Sequence, residues 1–414
     1  MANTSNIVIN RYVPFACLYF FCNSLFLPEG LLYTMFLTPV FFYEIIKDKR
    51  LNYLAGFLII SALFLAIHFM QGVNGGFYLR SYVLFITVAV FCTWFAGFCR
   101  KTGSLEKIFR YILYINALLI PVALLALKID WLKGYFWYLE PITPGIPVIP
   151  RLKMFTYEAS YYSLLLVPVA FYVIWNFLLS SKRIHAINML LVLMLLALSF
   201  SLGVITGIVI SFSFCLLFSM GSLLSHKRII IISVLGLLAL VGGLYILFTY
   251  FPDNPLVVRI KSIPTGRDTS ARGRTYEAFD LGYRIAMQKS LWFGVGLGQI
   301  KEIGRTIIIQ YYYYTSMPEV VRIPNAIAET FAMYGIAGVA IKFSLIIFLF
   351  FKTRVYINYY RFSIFLFVFI YQFTGSFLFN LAEYVIWILA FSPVLPQFNK
   401  TKSLTRKEET DPLS

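Results

Sequence analysis

Apolar residues gather into runs of about 20, the length a helix needs to cross the hydrocarbon core of a bilayer. The runs fall at 13–27, 31–47, 51–71, 81–99, 108–127, 160–179, 186–202, 204–223, 229–250, 326–351, 361–377 and 380–396. They predict an all-α polytopic integral membrane protein with about 12 transmembrane helices. The 202/204 boundary is the faintest, because Leu202 to Thr206 holds almost no polar turn. Two long segments interrupt the series, Lys128 to Ala159 and Phe251 to Asn325. The expected organisation is nine spans over 1–250 with a loop at 128–159, a large loop over 251–325, three spans over 326–396 and a tail over 397–414. The end of that tail, Thr401 to Ser414, is polar and charged and is expected to be disordered. No internal repeat is visible.

Basic residues then orient the spans. Lys47, Lys49 and Arg50, the group Arg100, Lys101 and Lys107, the pairs Lys182/Arg183, Lys227/Arg228 and Lys352/Arg354, and Lys400 to Lys407 all alternate onto one side. Positive charge marks cytoplasmic ends, so both termini are expected there and the two long segments outside. Long external loops escape this rule, so arginines in them do not contradict it. Composition agrees: 60% hydrophobic and 13% charged residues, with 42 Phe and 29 Tyr, is more apolar surface than a soluble fold hides. Much of the net charge of +17 is topology signal, and no nucleic-acid partner is expected. Cys17, Cys22, Cys92, Cys99 and Cys215 lie in apolar runs and read as packing residues, not a disulfide framework. The first run lacks a small-residue cleavage site and is expected to be retained as a span.

Candidate chemistry concentrates in the large external segment. It carries Arg259, Arg267, Arg272, Arg274, Arg284, Arg305 and Arg322, with Lys261, Lys289 and Lys301. Guanidinium groups bind phosphate oxygens with a planar fork and stay charged at any relevant pH, so two or three converging would hold a diphosphate. The plainer alternative is contact with anionic lipid headgroups, worth about 1 kcal/mol each. Ala271 to Leu291 is predicted as one helix, with Tyr276, Phe279, Tyr283 and Met287 forming an apolar stripe suited to a membrane surface. The following Trp292-Phe293-Gly294-Val295-Gly296-Leu297-Gly298 has the look of a dinucleotide fingerprint but follows a helix and has no βαβ context. Its glycines are expected to turn the backbone tightly toward the membrane. Asp253, Asp268 and Asp280 read as solvated surface charges. Tyr311 to Tyr314 form either an interfacial belt or a stacking platform for sugar rings.

A second candidate runs from Pro150 to Tyr162, directly into a span. It sets Arg151 and Glu158 at the external membrane face. Glu158 stands at the mouth of an apolar helix, where an unpaired carboxylate is costly. It is either satisfied by the helix dipole or serves as a base or orienting partner for a substrate hydroxyl. Ser199, Ser201 and Thr206 are expected to hydrogen-bond backbone within packed helices.

In order, these pieces resemble the O-antigen polymerase and ligase superfamily of bacterial envelope enzymes, nearest to Wzy-type polymerases of exopolysaccharides such as colanic acid. The resemblance lies in Arg151 with Phe155, Glu158, Ala159 and Ser160; in Leu198 to Gly203 with Thr206 and Gly207; and in Ser270-Ala271-Arg272-Gly273-Arg274. It continues through Gly294 to Gly298, Asn325, and Tyr334-Gly335-Ile336-Ala337-Gly338. Each piece is short, and the match covers roughly residues 145–345. It implies metal-independent glycosyl transfer at the external face of the bacterial inner membrane, with no cofactor. The implied partner is an undecaprenyl-pyrophosphate-linked oligosaccharide, with membrane lipid around it and a chain-length regulator as a further partner. The motif positions carry over Arg151 and Arg274 as pyrophosphate-binding catalytic cations, with Arg272 as an alternative register. Glu158 is the base by elimination. Arg267 and Arg284 are further substrate-binding candidates, as are Asn325 and Glu329, the last also a reserve base.

One departure matters. Ligases of this superfamily carry a His before the Asn that opens the span after the large loop, and here Pro324 precedes Asn325. This favours polymerase over ligase. His185 and His226 lie beside cytoplasmic basic clusters, and His68 is expected to be a packed helix residue. A flippase or transporter for the same lipid-linked saccharide is the rival class, but it would place charge along an internal cavity.

Overall fold

The computed structural model describes residues 13–28, 31–101, 105–140, 148–223, 227–266, 268–313 and 321–400. The candidate Arg267, as well as Tyr314, His226 and the tail from 401 to 414, lie outside the described residues.

Helices dominate. In chain order they are α1 (Val13–Cys22), α2 (Thr38–Lys47), α3 (Leu51–Met70), α4 (Gly75–Lys101) and α5 (Leu105–Ala126). A two-strand ladder follows, β1 (Trp137–Tyr138) against β2 (Arg151–Leu152). Then come α6 (Ala159–Leu179), α7 (Arg183–Ser199), α8 (Leu202–Phe218), α9 (Lys227–Tyr250), α10 (Pro255–Ser262), α11 (Thr269–Arg274), α12 (Tyr276–Ala286) and α13 (Ile303–Tyr312). The chain closes with α14 (Ala326–Lys352), α15 (Tyr359–Tyr371) and α16 (Leu381–Phe391). Among the described residues, six helices (α3, α4, α5, α6, α9 and α14) are long and apolar enough to cross a membrane. Five shorter apolar helices accompany them: α1, α7, α8, α15 and α16. The run at 31–47 is broken into Tyr33–Phe36 and Thr38–Lys47, with Pro39 in the first turn of the second piece.

The bundle is organised around α6. In its most apolar window 83% of residues are buried, against 6% for α9, whose Ile231, Val234, Leu238 and Val241 face outward. An apolar helix with so little protein around it is matched by hydrocarbon, not water. Side-chain hydrogen bonds fasten α6 to three other helices. Tyr162 donates to Asn116 of α5 at 2.5 Å, Ser163 to Ser199 of α7 at 2.7 Å, and Trp175 to Ser363 of α15 at 2.9 Å. Such bonds glue helices where apolar contact alone gives no preference over lipid.

A second, smaller core lies at the end of the bundle occupied by the 251–325 segment. Ala278, Leu281 and Ile285 of α12 pack with Ala328 and Ala332 of α14, together with Phe64 and Tyr78 from α3 and α4. The expected helix over Ala271–Leu291 is two helices, broken at Thr275 (φ −109°, ψ −116°). Tyr276, Phe279, Tyr283 and Met287 do form the expected exposed stripe on α12.

The apolar run at 326–351 also departs from a simple span, because α14 is interrupted at Gly335 (φ 64°, ψ −160°). The glycine-rich stretch lies along this break. Val295 and Gly296 donate to the carbonyls of Ala332 and Met333 at 2.9 and 3.0 Å, while Ile336 and Ala337 donate to Leu291 and Trp292 at 2.9 and 3.0 Å. His68, at the far end of α3, holds the same stretch, with Nε2 2.7 Å from the Phe293 carbonyl and Nδ1 3.0 Å from the Tyr78 hydroxyl. Gly294 and Gly335 have positive φ, and a Cβ on either would lie 2.4 Å from backbone of the opposite segment. Gly335→Ala is therefore expected to cost roughly 1–3 kcal/mol of stability. Thermal unfolding in detergent would register this as a lowered midpoint, and an unchanged midpoint would refute the fit.

Candidate functional site: a basic pocket at the bundle end

Three segments distant in sequence supply one pocket. The first is the β1–β2 ladder, which pairs Tyr138 with Arg151. Trp137 anchors it by donating to the Ala123 carbonyl at 2.6 Å, near the end of α5. Arg151 is buried, 9% exposed, with its guanidinium carbon 4.7 Å from the centre of the Tyr138 ring. Its Nε is buried without a hydrogen-bond partner among the described residues. Burial lowers the proton affinity of Arg151, Glu158 raises it, and Arg259 and Arg274 lower it.

Glu158 belongs to the same segment. It is the residue before the first turn of α6, in extended conformation (φ −147°, ψ 146°), and its side chain makes no cap bond to the helix. Ser160 donates to Oε1 at 2.5 Å. The helix therefore leaves the carboxylate half-buried and turned to the pocket, which it lines with Arg151 and Ser160.

The second contribution is the turn between α7 and α8, where Phe200 adopts a left-handed conformation (φ 49°). Phe200, Ser201, Leu202 and Gly203 form one wall of the pocket. Ser199 bonds within the helices as expected, donating to the Leu196 carbonyl at 2.7 Å. Ser201, expected to do the same, instead faces the site.

The third is the large segment, which brings Arg259, Ser270 and Arg274 to the same pocket of about 590 Å³. Asp268, expected to be a solvated charge, is fully buried: it caps α11 by accepting from Ala271 N–H at 2.8 Å and pairs with Arg259 Nε at 3.0 Å. Arg274 ends α11, and among the described residues no hydrogen bond or ion pair holds its guanidinium. Its backbone is held instead, since Asn325 donates to its carbonyl at 2.9 Å.

The remaining sequence candidates separate from this group. Arg272 is bound to Glu277, with Nε at 2.7 Å, and to the Gly266 carbonyl at 3.2 Å. Arg284 pairs with Asp280 at 3.1 Å and lies over Tyr311, on an exposed face. Neither lines the pocket. Asn325 is fully buried and fully engaged: its oxygen caps α14 through Ile327 and Ala328 N–H at 3.1 and 2.9 Å, and its amide donates to Arg274 and Phe373. Its role is to position Arg274. Glu329 is buried one turn into α14 and accepts from Leu378 N–H. Tyr313 is 89% exposed, away from the pocket. Tyr138 was not singled out from sequence, and Arg322 and Ser270 were named there without a site role of their own. Arg322 shares a smaller pocket with Glu158, Arg274 and Tyr371, and its position just ahead of a helix start was the available signal. Among the described residues no three His, Cys, Asp or Glu side chains cluster.

Fold and site together define a helical protein with membrane-length apolar helices and a cationic pocket at one end of its bundle. Comparisons with known protein families and with curated proteins give no match to this chain.

Asn325→Ser separates the two jobs of this side chain, because serine caps a helix but cannot donate to both carbonyls. Stability is expected to fall by only about 1 kcal/mol. Amide exchange across residues 274–276 should accelerate in the variant, and an unchanged exchange pattern would refute the positioning role.

Proposed function

We propose that this protein is a polysaccharide polymerase of the Wzy type, which joins undecaprenyl-pyrophosphate-linked repeat units by glycosyl transfer at the external face of the bacterial inner membrane. The proposal includes twelve spans, cytoplasmic termini and a large external loop over 251–325. The observation that carries it is the meeting of Arg151, Glu158 and Arg274 in one pocket, although 123 positions separate the two arginines in the chain.

The chemistry follows from the side chains. An acceptor hydroxyl oxygen attacks the anomeric carbon of the donor sugar and forms the new glycosidic bond. The bond from that carbon to the diphosphate oxygen breaks, and its electron pair leaves on the diphosphate. Arg151 and Arg274 stabilise the charge that develops there, which is worth most in a site that excludes water. The hydroxyl proton passes to the Glu158 carboxylate, whose second oxygen has no partner among the described residues. Arginine supplies the positive charge by itself in this scheme, and a chain-length regulator acts from outside the pocket.

Deleting the gene and resolving surface glycans and lipid-linked intermediates tests the proposal. Single repeat units without long polymer support polymerase. Full-length polymer stranded on the carrier lipid would replace it with ligase, and repeat units trapped on the cytoplasmic side with flippase. Arg274→Lys keeps the charge but loses the planar fork, so polymer synthesis is expected to fall about tenfold or more. Normal polymer length and yield in that variant would remove Arg274 from the chemistry.

A further inference from the structure

Glu158 lines more than the basic pocket. A larger cavity of about 1370 Å³ also includes it, bounded by the 298–301 turn, α4, the start of α14 and the segment 377–381. The wall of this cavity is aromatic, with Tyr138, Tyr157, Tyr161, Phe377 and Phe379. Tyr157 and Tyr161 stack with ring centroids 4.6 Å apart.

Three charged side chains join Glu158 in this lining: Lys301, Arg322 and Glu329. One oxygen of Glu329 accepts the Leu378 N–H, and the other has no hydrogen-bond partner among the described residues. The nearby Glu383 differs, because Ser376 and Trp387 occupy both of its oxygens and it does not line the cavity. Lys301 and Arg322 have no ion-pair partner among the described residues, and Arg322 rests 5.1 Å from the centre of the Phe377 ring. The cavity therefore offers flat apolar faces beside carboxylate acceptors and cationic donors. That combination suits a saccharide, whose C–H faces lie on aromatic rings while its hydroxyls bond at the edges.

We infer that this cavity is a separate saccharide-binding compartment that receives the acceptor unit, while the basic pocket holds the diphosphate of the donor. The inference rests on the polymerase reading and assigns the second of its two substrates. Glu158 lines both compartments, as a group that takes a proton from one substrate while the other departs must. The basic pocket contains Arg151, Arg259 and Arg274, and none of these lines the larger cavity. Glu329 and Lys301, in turn, line only the larger one. The two compartments thus have separable chemistries, one for a strongly anionic leaving group and one for a polyhydroxylated ring.

The test measures binding to purified protein in nanodiscs with two probes. One is undecaprenyl diphosphate, and the other is the lipid-linked repeat unit extracted from cells lacking the protein. Glu329→Gln and Lys301→Ala are each expected to weaken the repeat unit about tenfold, and to leave undecaprenyl diphosphate unchanged. Arg151→Ala is expected to weaken undecaprenyl diphosphate. Lys301 is exposed, so its replacement keeps the test informative if the buried Glu329 variant fails to fold. Equal loss for both probes, or no loss for either, overturns the two-compartment arrangement. Wild-type protein that binds undecaprenyl diphosphate but gains nothing from the saccharide also overturns it, and leaves the lipid-diphosphate reading standing. Wild-type protein that binds neither probe removes the polymerase reading and this inference with it.

Discussion

A buried backbone amide must find its partner inside the protein, and the break in α14 at the buried Gly335 is where this constraint governs the molecule. A helix that leaves its ladder strands carbonyls on one side of the break and N–H groups on the other. Here all four groups, at Ala332, Met333, Ile336 and Ala337, are taken by the turning stretch 291–296. The stretch 291–296 is therefore part of the helix it covers. Each side of that contact lacks a Cβ where the other passes, at Gly294 and Gly335, so the two segments are complementary at the level of single atoms. Irregular backbone at membrane depth is tolerated where protein buries it, and it is often found at binding sites for that reason.

Asn325 carries the consequence to the pocket. It starts α14 and at the same time ties the end of α11 to that start through the Arg274 carbonyl. Arg274 thus takes its position from the start of α14. The arginines sort themselves by their partners. Arg259, Arg272 and Arg284 each have a carboxylate within nine positions in sequence, at Asp268, Glu277 and Asp280. A guanidinium held in that way has less to give an incoming anion. Arg151 and Arg274 have no such carboxylate bonded to them among the described residues, and they are the two that meet in the pocket with Glu158.

How much of this was legible in sequence depended on the range of the interaction. Apolar runs reported the helices well, since a helix in lipid declares itself through its own residues. The Asp280–Arg284 pair is one helical turn apart, yet the sequence suggests a solvated charge at Asp280 and a substrate-binding residue at Arg284, and the structure pairs them with each other. The break at Gly335 was not legible, because Tyr334-Gly335-Ile336-Ala337-Gly338 reads like any small-residue packing motif. What breaks the helix is a competing set of hydrogen bonds from residues some forty positions earlier. Asp268 was misread for a similar reason: a polar neighbourhood suggests solvent, whereas burial came from Arg259 and the α11 cap together. Arg151, Glu158 and Arg274 were legible only as an ordered set. Their meeting depends on a two-residue ladder, a turn at Phe200 and a buried asparagine, none of which has a local signature.

The electrostatics of the pocket bear most on its buried cation, Arg151. Burial lowers the proton affinity of Arg151, and its cationic neighbours lower it further, yet Glu158 opposes both. Because a guanidinium starts so far above neutrality, these pressures leave it charged at any pH near neutrality. The cost of holding Arg151 nearly out of water is met in part by the Tyr138 ring, whose face attracts a cation without neutralising it. The cationic part of the site is therefore permanent. A fixed guanidinium of this kind suits an anionic ligand, and under the proposed function that ligand is the departing diphosphate.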